Sequence, residues 1–222
     1  MAHMDVIGLS GIQFYGKMSA SISHDLKNVL AVINENAGLL EDLCLMAGKG
    51  KPLDPGRLKR LAEEVKHQVR RGDRITTSMN DFAHSVDEPL RQAELNDTLG
   101  LMCTLSGRFA SMRGVTLELE PASAQISIVT NPFFLQNLLW LCLDFAMSVT
   151  GAIKKVVLKA EKIETGAKIC FSKLQELGRK EPGPGSFPGE REAALLQALK
   201  ARLEIQKESG ELHLLFPAQA EI

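Results

Sequence analysis

The sequence carries almost no net charge. Its 26 Lys and Arg stand against 27 Asp and Glu, a formal balance of -1. That excludes a bulk basic field able to hold nucleic acid or an anionic membrane surface. Cysteine is scarce as well. Cys44, Cys103, Cys142 and Cys170 are scattered, with no Cys-x-x-Cys and no Cys/His ligand spacing. The pattern predicts reduced thiols in a cytoplasmic protein and no zinc site. Long hydrophobic runs are missing too. The longest apolar stretch, Leu138 to Met147, is interrupted by Asp144 and is too short to cross a bilayer. No signal peptide is visible, and Met1-Ala2-His3-Met4 reads as a cloning remnant with Met4 as the natural start. There is no internal repeat. What remains is 222 residues of ordinary globular composition, 45% hydrophobic and 24% charged, enough for one large or two small domains.

Two long helical segments come first. One is expected from about Ile12 to Ala47, ended by Gly48-Lys49-Gly50-Lys51-Pro52. Asp54-Pro55 starts the next, with Asp as N-cap and Pro in the first helical position. In that second segment Leu58, Leu61, Val65, Gln68, Gly72, Ile75, Met79 and Phe82 recur at spacings of three and four. This is a narrow bundle seam, with Gln68 and Gly72 as its weak points. A short connection makes the helices antiparallel neighbours. Residues whose numbers sum to roughly 103 then stand level, which sets His24 beside Met79 to within a turn. Two helices cannot enclose seams this long, so a homodimer forming a four-helix bundle is the expected completion.

Asp87-Glu88-Pro89 closes this unit, because proline disfavours helix at the residue before it. The expected domains are therefore residues 5–88 and 89–222. The second mixes helices and strands, making the chain α+β. Helices are expected over Leu95 to Arg113, from the Asn131-Pro132 cap to about Val149, and from about Glu190 to Leu203. Strands are expected over Val115 to Leu119 and Ile126 to Val129. One hairpin pairs Lys155–Lys159 with Lys168–Phe171, and a last one pairs Leu203–Ile205 with Leu212–Phe216. A Gly- and Pro-rich loop, Glu181 to Gly189, precedes the third helix.

Against this frame one residue stands out. His24 lies in Ser23-His24-Asp25-Leu26-Lys27-Asn28, early in the first helix. At roughly 100° per residue, Ile22, Leu26, Val29, Ile33 and Leu40 fall on the side opposite the ring, while Asn28, Ala31 and Glu35 fall near it. The imidazole is thus expected in solvent, on a rigid rod, with an acid and an amide beside it. If the Asp25 carboxylate reaches one ring nitrogen, it sets the tautomer and leaves the other nitrogen nucleophilic. The plain alternative is an exposed helix histidine among ordinary surface polar groups. His67, His84 and His213 lack partners at metal-ligand spacing.

The first unit resembles the dimerisation and phosphoacceptor domain of two-component histidine kinases, in Ser23-His24-Asp25-Leu26-Lys27-Asn28, the apolar pattern after it and the helical hairpin. The resemblance implies that His24 accepts a phosphoryl group and that Asp25 assists as a base. It implies that Asn28 positions water when the partner is dephosphorylated.

The second unit resembles the ATP-binding domain of the same kinases in its order of elements, as an α/β sandwich. The family's chemistry is missing from it. Where asparagines should hold magnesium and phosphates, Leu138 to Ala146 presents Trp140 and Asp144. Asp144 is expected to be paired with a nearby donor, since an unpaired buried carboxylate is costly. Ser172-Lys173-Leu174-Gln175-Glu176 stands where an Asp-x-Gly-x-Gly motif should follow. The loop Pro182 to Gly189 is stiffened by prolines that remove backbone amides, and is expected to be a plain connection.

The whole chain thus resembles dimeric phosphotransferases that retain a degenerate kinase fold. That implies a phosphorelay histidine phosphotransferase whose partners are response-regulator receiver domains. Magnesium is expected on the receiver, with no cofactor bound by the chain itself. Two alternatives remain: an ATP-dependent histidine kinase with an eroded nucleotide site, and a non-catalytic module that binds a response regulator.

Overall fold

A computed structural model describes residues 2–122, 124–178 and 187–218, with residues 2–4 as backbone only. It is α+β, with a helical N-terminal part followed by a sheet-containing part. Helix α1 runs Ala2–Gly48 and helix α2 runs Pro55–Ala83. The expected cap is present: the Asp54 carboxylate accepts from the Gly56 N–H at 2.8 Å. Helix α1 begins well before the expected Ile12. Its glycines at 8, 11 and 16 lower helix propensity, but Ile7, Phe14 and Met18 are buried there, so tertiary packing outweighs propensity.

The chain divides into two compact units, Ser19–Asp81 on the one hand and Met1–Met18 with Phe82–Ile222 on the other. Within Ser19–Asp81 the two helices are antiparallel across the turn at residues 49–54. A Cβ placed on Gly72 would lie 3.4 Å from Val29 Cγ1, so glycine admits a close helix approach at that level. These two residue numbers sum to 101, within a turn of the expected register. Gln68 is buried in the seam. Its amide donates to Glu64 at 2.7 Å, while its Oε1 has no partner.

In the larger unit the elements continue as β1 (Arg91–Glu94), α3 (Leu95–Met112), β2 (Thr116–Leu119), β3 (Ser127–Thr130), α4 (Pro132–Ser148), β4 (Lys155–Ile163), β5 (Gly166–Ser172), α5 (Glu190–Ala198), β6 (Arg202–Gln206) and β7 (Glu211–Pro217). Strands β2-β4-β5-β7-β6 form one sheet in that order. Only the β2–β4 pair is parallel. Helices α3 and α4 pack on it. Leu95, Leu99 and Met102 of α3 and Leu135, Leu138, Leu139 and Leu143 of α4 are buried with Leu158, Ile169, Phe171, Leu212 and Leu214 of the sheet. Each such side chain contributes about 1.5–3 kcal/mol on burial.

The alternation of the strands decides the other face. In β5, Ala167, Ile169 and Phe171 are buried, while Lys168 and Cys170 are half-buried. In β7, Leu212, Leu214 and Phe216 are buried, while Glu211 and His213 are half-buried. Glu94 caps α3. Its carboxylate accepts from the Asp97 N–H at 3.0 Å and the Ile126 N–H at 2.9 Å, fastening β1 and β3 to the helix start. Burial raises this carboxyl's pKa, but the backbone donors at Ile126, Asp97 and Asn96 outweigh it, and it sits below the usual carboxylate value.

Two further elements differ from expectation. Strand β1 has no apolar alternation, since only Ala93 is buried, and it exists through its antiparallel ladder with β3. Helix α5 ends at Ala198, short of Leu203. Lys200 turns with φ 52° and reverses the chain, and Leu203 and Ile205 join β7 instead. Most of the loop expected at 181–189 lies outside the described residues.

Candidate functional site

His24 lies in the helical hairpin unit, on the exposed side of α1, with its side chain 48% exposed. On the opposite side Ile22 and Val29 are buried and Leu26 and Ile33 half-buried, as the helical period requires. The Asn28 amide, one turn on, donates to His24 Nδ1 at 3.2 Å. Asp25 Oδ1 lies 3.6 Å from the same nitrogen, too long for a hydrogen bond but within reach of a small rotamer change. Both neighbours therefore address Nδ1. Among the described residues no hydrogen bond or ion pair reaches Nε2.

The two contacts favour different tautomers. A donor on Nδ1 needs that nitrogen's lone pair and places the proton on Nε2. A carboxylate on Nδ1 needs the proton there and frees the Nε2 lone pair. The Asn28 contact therefore favours the Nε2–H tautomer, and an Asp25 rotamer that closed the 3.6 Å gap would favour the Nδ1–H one.

The other described histidines are differently placed. His84 is hydrogen-bonded with Asp87 at 2.7 Å in the turn after α2, His67 stands 3.9 Å from Glu64, and His213 meets Glu211 at 2.9 Å on the sheet. Among the thiols, burial pushes Cys103 and Cys170 up to about 11 and Cys142 well above its ordinary value, so none of these three is an activated nucleophile.

Asp144 finds the expected donor. Arg113 donates to its carboxylate at 2.7 Å and to its backbone carbonyl at 3.0 Å. Around it α4 is apolar and buried, including Trp140, which carries Lys17 Nζ 5.1 Å from its ring centroid. The buried Asn137 is hydrogen-bonded with Ser10. These polar groups on α4 are already engaged within the chain.

The sequence pattern offers no metal-ligand spacing, yet the sheet brings one grouping together. Cys170, Glu211 and His213 place their ligand atoms within 4.8 Å of one another. The signal lies in the β5–β7 register, which sets Cys170 opposite His213. No pairing between those strands is legible in the linear sequence. No described helix is long and apolar enough to cross a membrane.

No protein-family model matches the chain, and no curated protein sequence matches it. Solved structures with a similar backbone include a histidine kinase, AdeS of Acinetobacter baumannii, at 11% identity, covering 89% of this chain and 98% of that one with a TM-score of 0.46. The ATP-binding domain of PrrB from Mycobacterium tuberculosis is 20% identical over 60% of this chain and 100% of that one, with a TM-score of 0.44. Histidine kinase ThkA, in its complex with response regulator protein TrrA, is 14% identical over 94% of this chain and 63% of that one, with a TM-score of 0.46. At these scores and identities the likeness is one of backbone and assigns no chemistry to this chain.

Proposed function

We propose that the chain is a histidine phosphotransferase of a two-component phosphorelay, passing phosphoryl groups between His24 and receiver-domain aspartates. The observation that carries this reading is the His24 ring itself: half exposed on a long helix, hydrogen-bonded at Nδ1 by Asn28, with the Asp25 carboxylate 3.6 Å from the same nitrogen. In the transfer step Nε2 attacks the phosphorus of an aspartyl phosphate. The P–N bond forms as the P–O bond breaks, and the receiver's carboxylate leaves with its electron pair. The ring becomes positive as it reacts, and the Asp25 carboxylate stabilises that charge and accepts the Nδ1 proton. Asn28 holds the ring between transfers and orients water when the partner is dephosphorylated. The receiver brings its own magnesium ion. Residues 5–88 form the phosphoacceptor and dimerisation domain, with residues 89–222 as a degenerate ATP-binding-like domain.

Surface chemistry supports dimerisation. Within Ser19–Asp81, Leu30, Leu39, Leu40, Leu45, Met46, Leu53, Val69 and Met79 are exposed large apolar side chains on one helical hairpin. A second copy forming a four-helix bundle covers such a surface. On α4, the only acid, Asp144, is bound by Arg113, which supports transfer from a receiver rather than from ATP.

The test is to incubate the protein separately with labelled ATP and magnesium, and with a phosphorylated receiver. Labelling of His24 only from the receiver is expected. Labelling from ATP would make the protein a kinase, and labelling from neither, with receiver binding retained, would make it a binding module.

A further inference from the structure

We propose that Cys170, Glu211 and His213 form a site for a zinc-class divalent cation on the outer face of the five-stranded sheet. The register does the assembling. Cys170 of β5 stands directly opposite His213 of β7. Glu211 precedes His213 by two positions, and strand residues two apart share a face. The intervening Phe171 and Leu212 are buried on the helix-covered face, so the three ligand groups belong to the other one. Their ligand atoms lie within 4.8 Å of one another, and His213 Nε2 is already 2.9 Å from Glu211 Oε2. In tetrahedral zinc sites the metal stands about 2.0–2.2 Å from nitrogen and oxygen and about 2.3 Å from sulfur. The half-buried Glu211 carboxylate and the Cys170 thiol have side-chain torsions through which the remaining gap would close.

The donor set selects the ion. One thiolate, one imidazole and one carboxylate suit zinc, and a hard cation such as magnesium or calcium does not seek sulfur. Three protein ligands leave a fourth position for water. The surroundings permit a cation. Lys159 stands opposite Cys170 and Lys168 precedes it by two, but both ammonium groups are engaged by Glu161, at 2.9 Å and 2.6 Å. Glu204, opposite His213 on β6, adds negative charge on the far side. A His–Glu pair alone is an ordinary strand contact; the sulfur across the ladder turns it into a ligand set. The side chain of His213 is only 14% exposed, so the ring is held rather than free. On binding, the thiol releases its proton to solvent as the sulfur–metal bond forms, and the ion ties the neighbouring strands β5 and β7 together.

The test uses the full chain, stripped with a chelator and titrated with cobalt(II) as a spectroscopic stand-in for zinc. One equivalent per chain is expected, with a thiolate-to-cobalt absorption band in the near ultraviolet that zinc then abolishes. Cys170→Ser should lose the band and Cys44→Ser should keep it. His213→Gln and Glu211→Gln should keep a thiolate band but weaken cobalt binding by more than about tenfold, since even loss of an outer-shell partner costs 10–100-fold. Circular dichroism checks that each variant folds, and the His213 and Glu211 variants carry the test if the serine variant does not. Absence of a thiolate band in the wild type, its survival in Cys170→Ser, or unchanged affinity in both glutamine variants overturns the site.

Discussion

Replacing Asn28 with alanine should change the tautomer of His24 before it changes anything else. The amide donates one hydrogen bond, 3.2 Å long and exposed to solvent, to Nδ1. Intramolecular hydrogen bonds contribute a net 0.5–1.5 kcal/mol, and an exposed one belongs at the low end, about 0.5 kcal/mol. With tenfold per 1.4 kcal/mol, the ratio of Nε2–H to Nδ1–H imidazole should fall by about twofold to threefold. Asp25→Asn should move the ratio the other way, because it removes the carboxylate that stabilises the Nδ1 proton. Nitrogen NMR of histidine-labelled protein at about pH 8.5, where free imidazole is neutral, reads the ratio directly, with the His24→Gln spectrum identifying the resonance by difference. Transfer from a phosphorylated receiver should be spared in Asn28→Ala, while water-mediated loss of phosphate from the partner changes. An unchanged or increased Nε2–H fraction in Asn28→Ala would refute the claim that this amide holds the ring.

His24→Gln should abolish phosphoryl labelling from a phosphorylated receiver with no change in circular dichroism, because the position faces solvent; a variant that labels as well as wild type ends the phosphotransferase reading. Asp25→Asn should slow transfer more than Asn28→Ala in single-turnover assays, since a base acts in the chemical step. Light scattering at micromolar concentration should give about twice the 24.3 kDa chain mass, and a clean monomer would sink the bundle. Glu94→Ala should destabilise the fold by about 1–2 kcal/mol in denaturant melts, as loss of an N-cap does. The folded carboxyl lies below its unfolded value, so its stabilisation is present above about pH 4.5 and drains away as pH falls through the lower folded value. Wild type should lose that increment on acidification and Glu94→Ala should not.

Much of this molecule was determined by the sequence alone, wherever the physics is local. Helical period put Ile22 and Val29 inside and His24 outside, and Asp54-Pro55 and Asn131-Pro132 marked two helix starts through their own side chains. The spacing of His24, Asp25 and Asn28 along one helix needs no tertiary contact, so their proximity was legible in the sequence. Which nitrogen the neighbours address was not, because that depends on rotamers. The rest was decided by non-local pairing. Arg91–Glu94 has no strand pattern of its own and is a strand because Ser127–Thr130 lies beside it. Helix α1 starts at Ala2 despite its glycines because Phe14 and Met18 are buried. Cys170 and His213 meet only through the ladder between β5 and β7. A linear pattern records each residue's own preference for face and period, and the register between distant strands exists only once the chain has closed on itself.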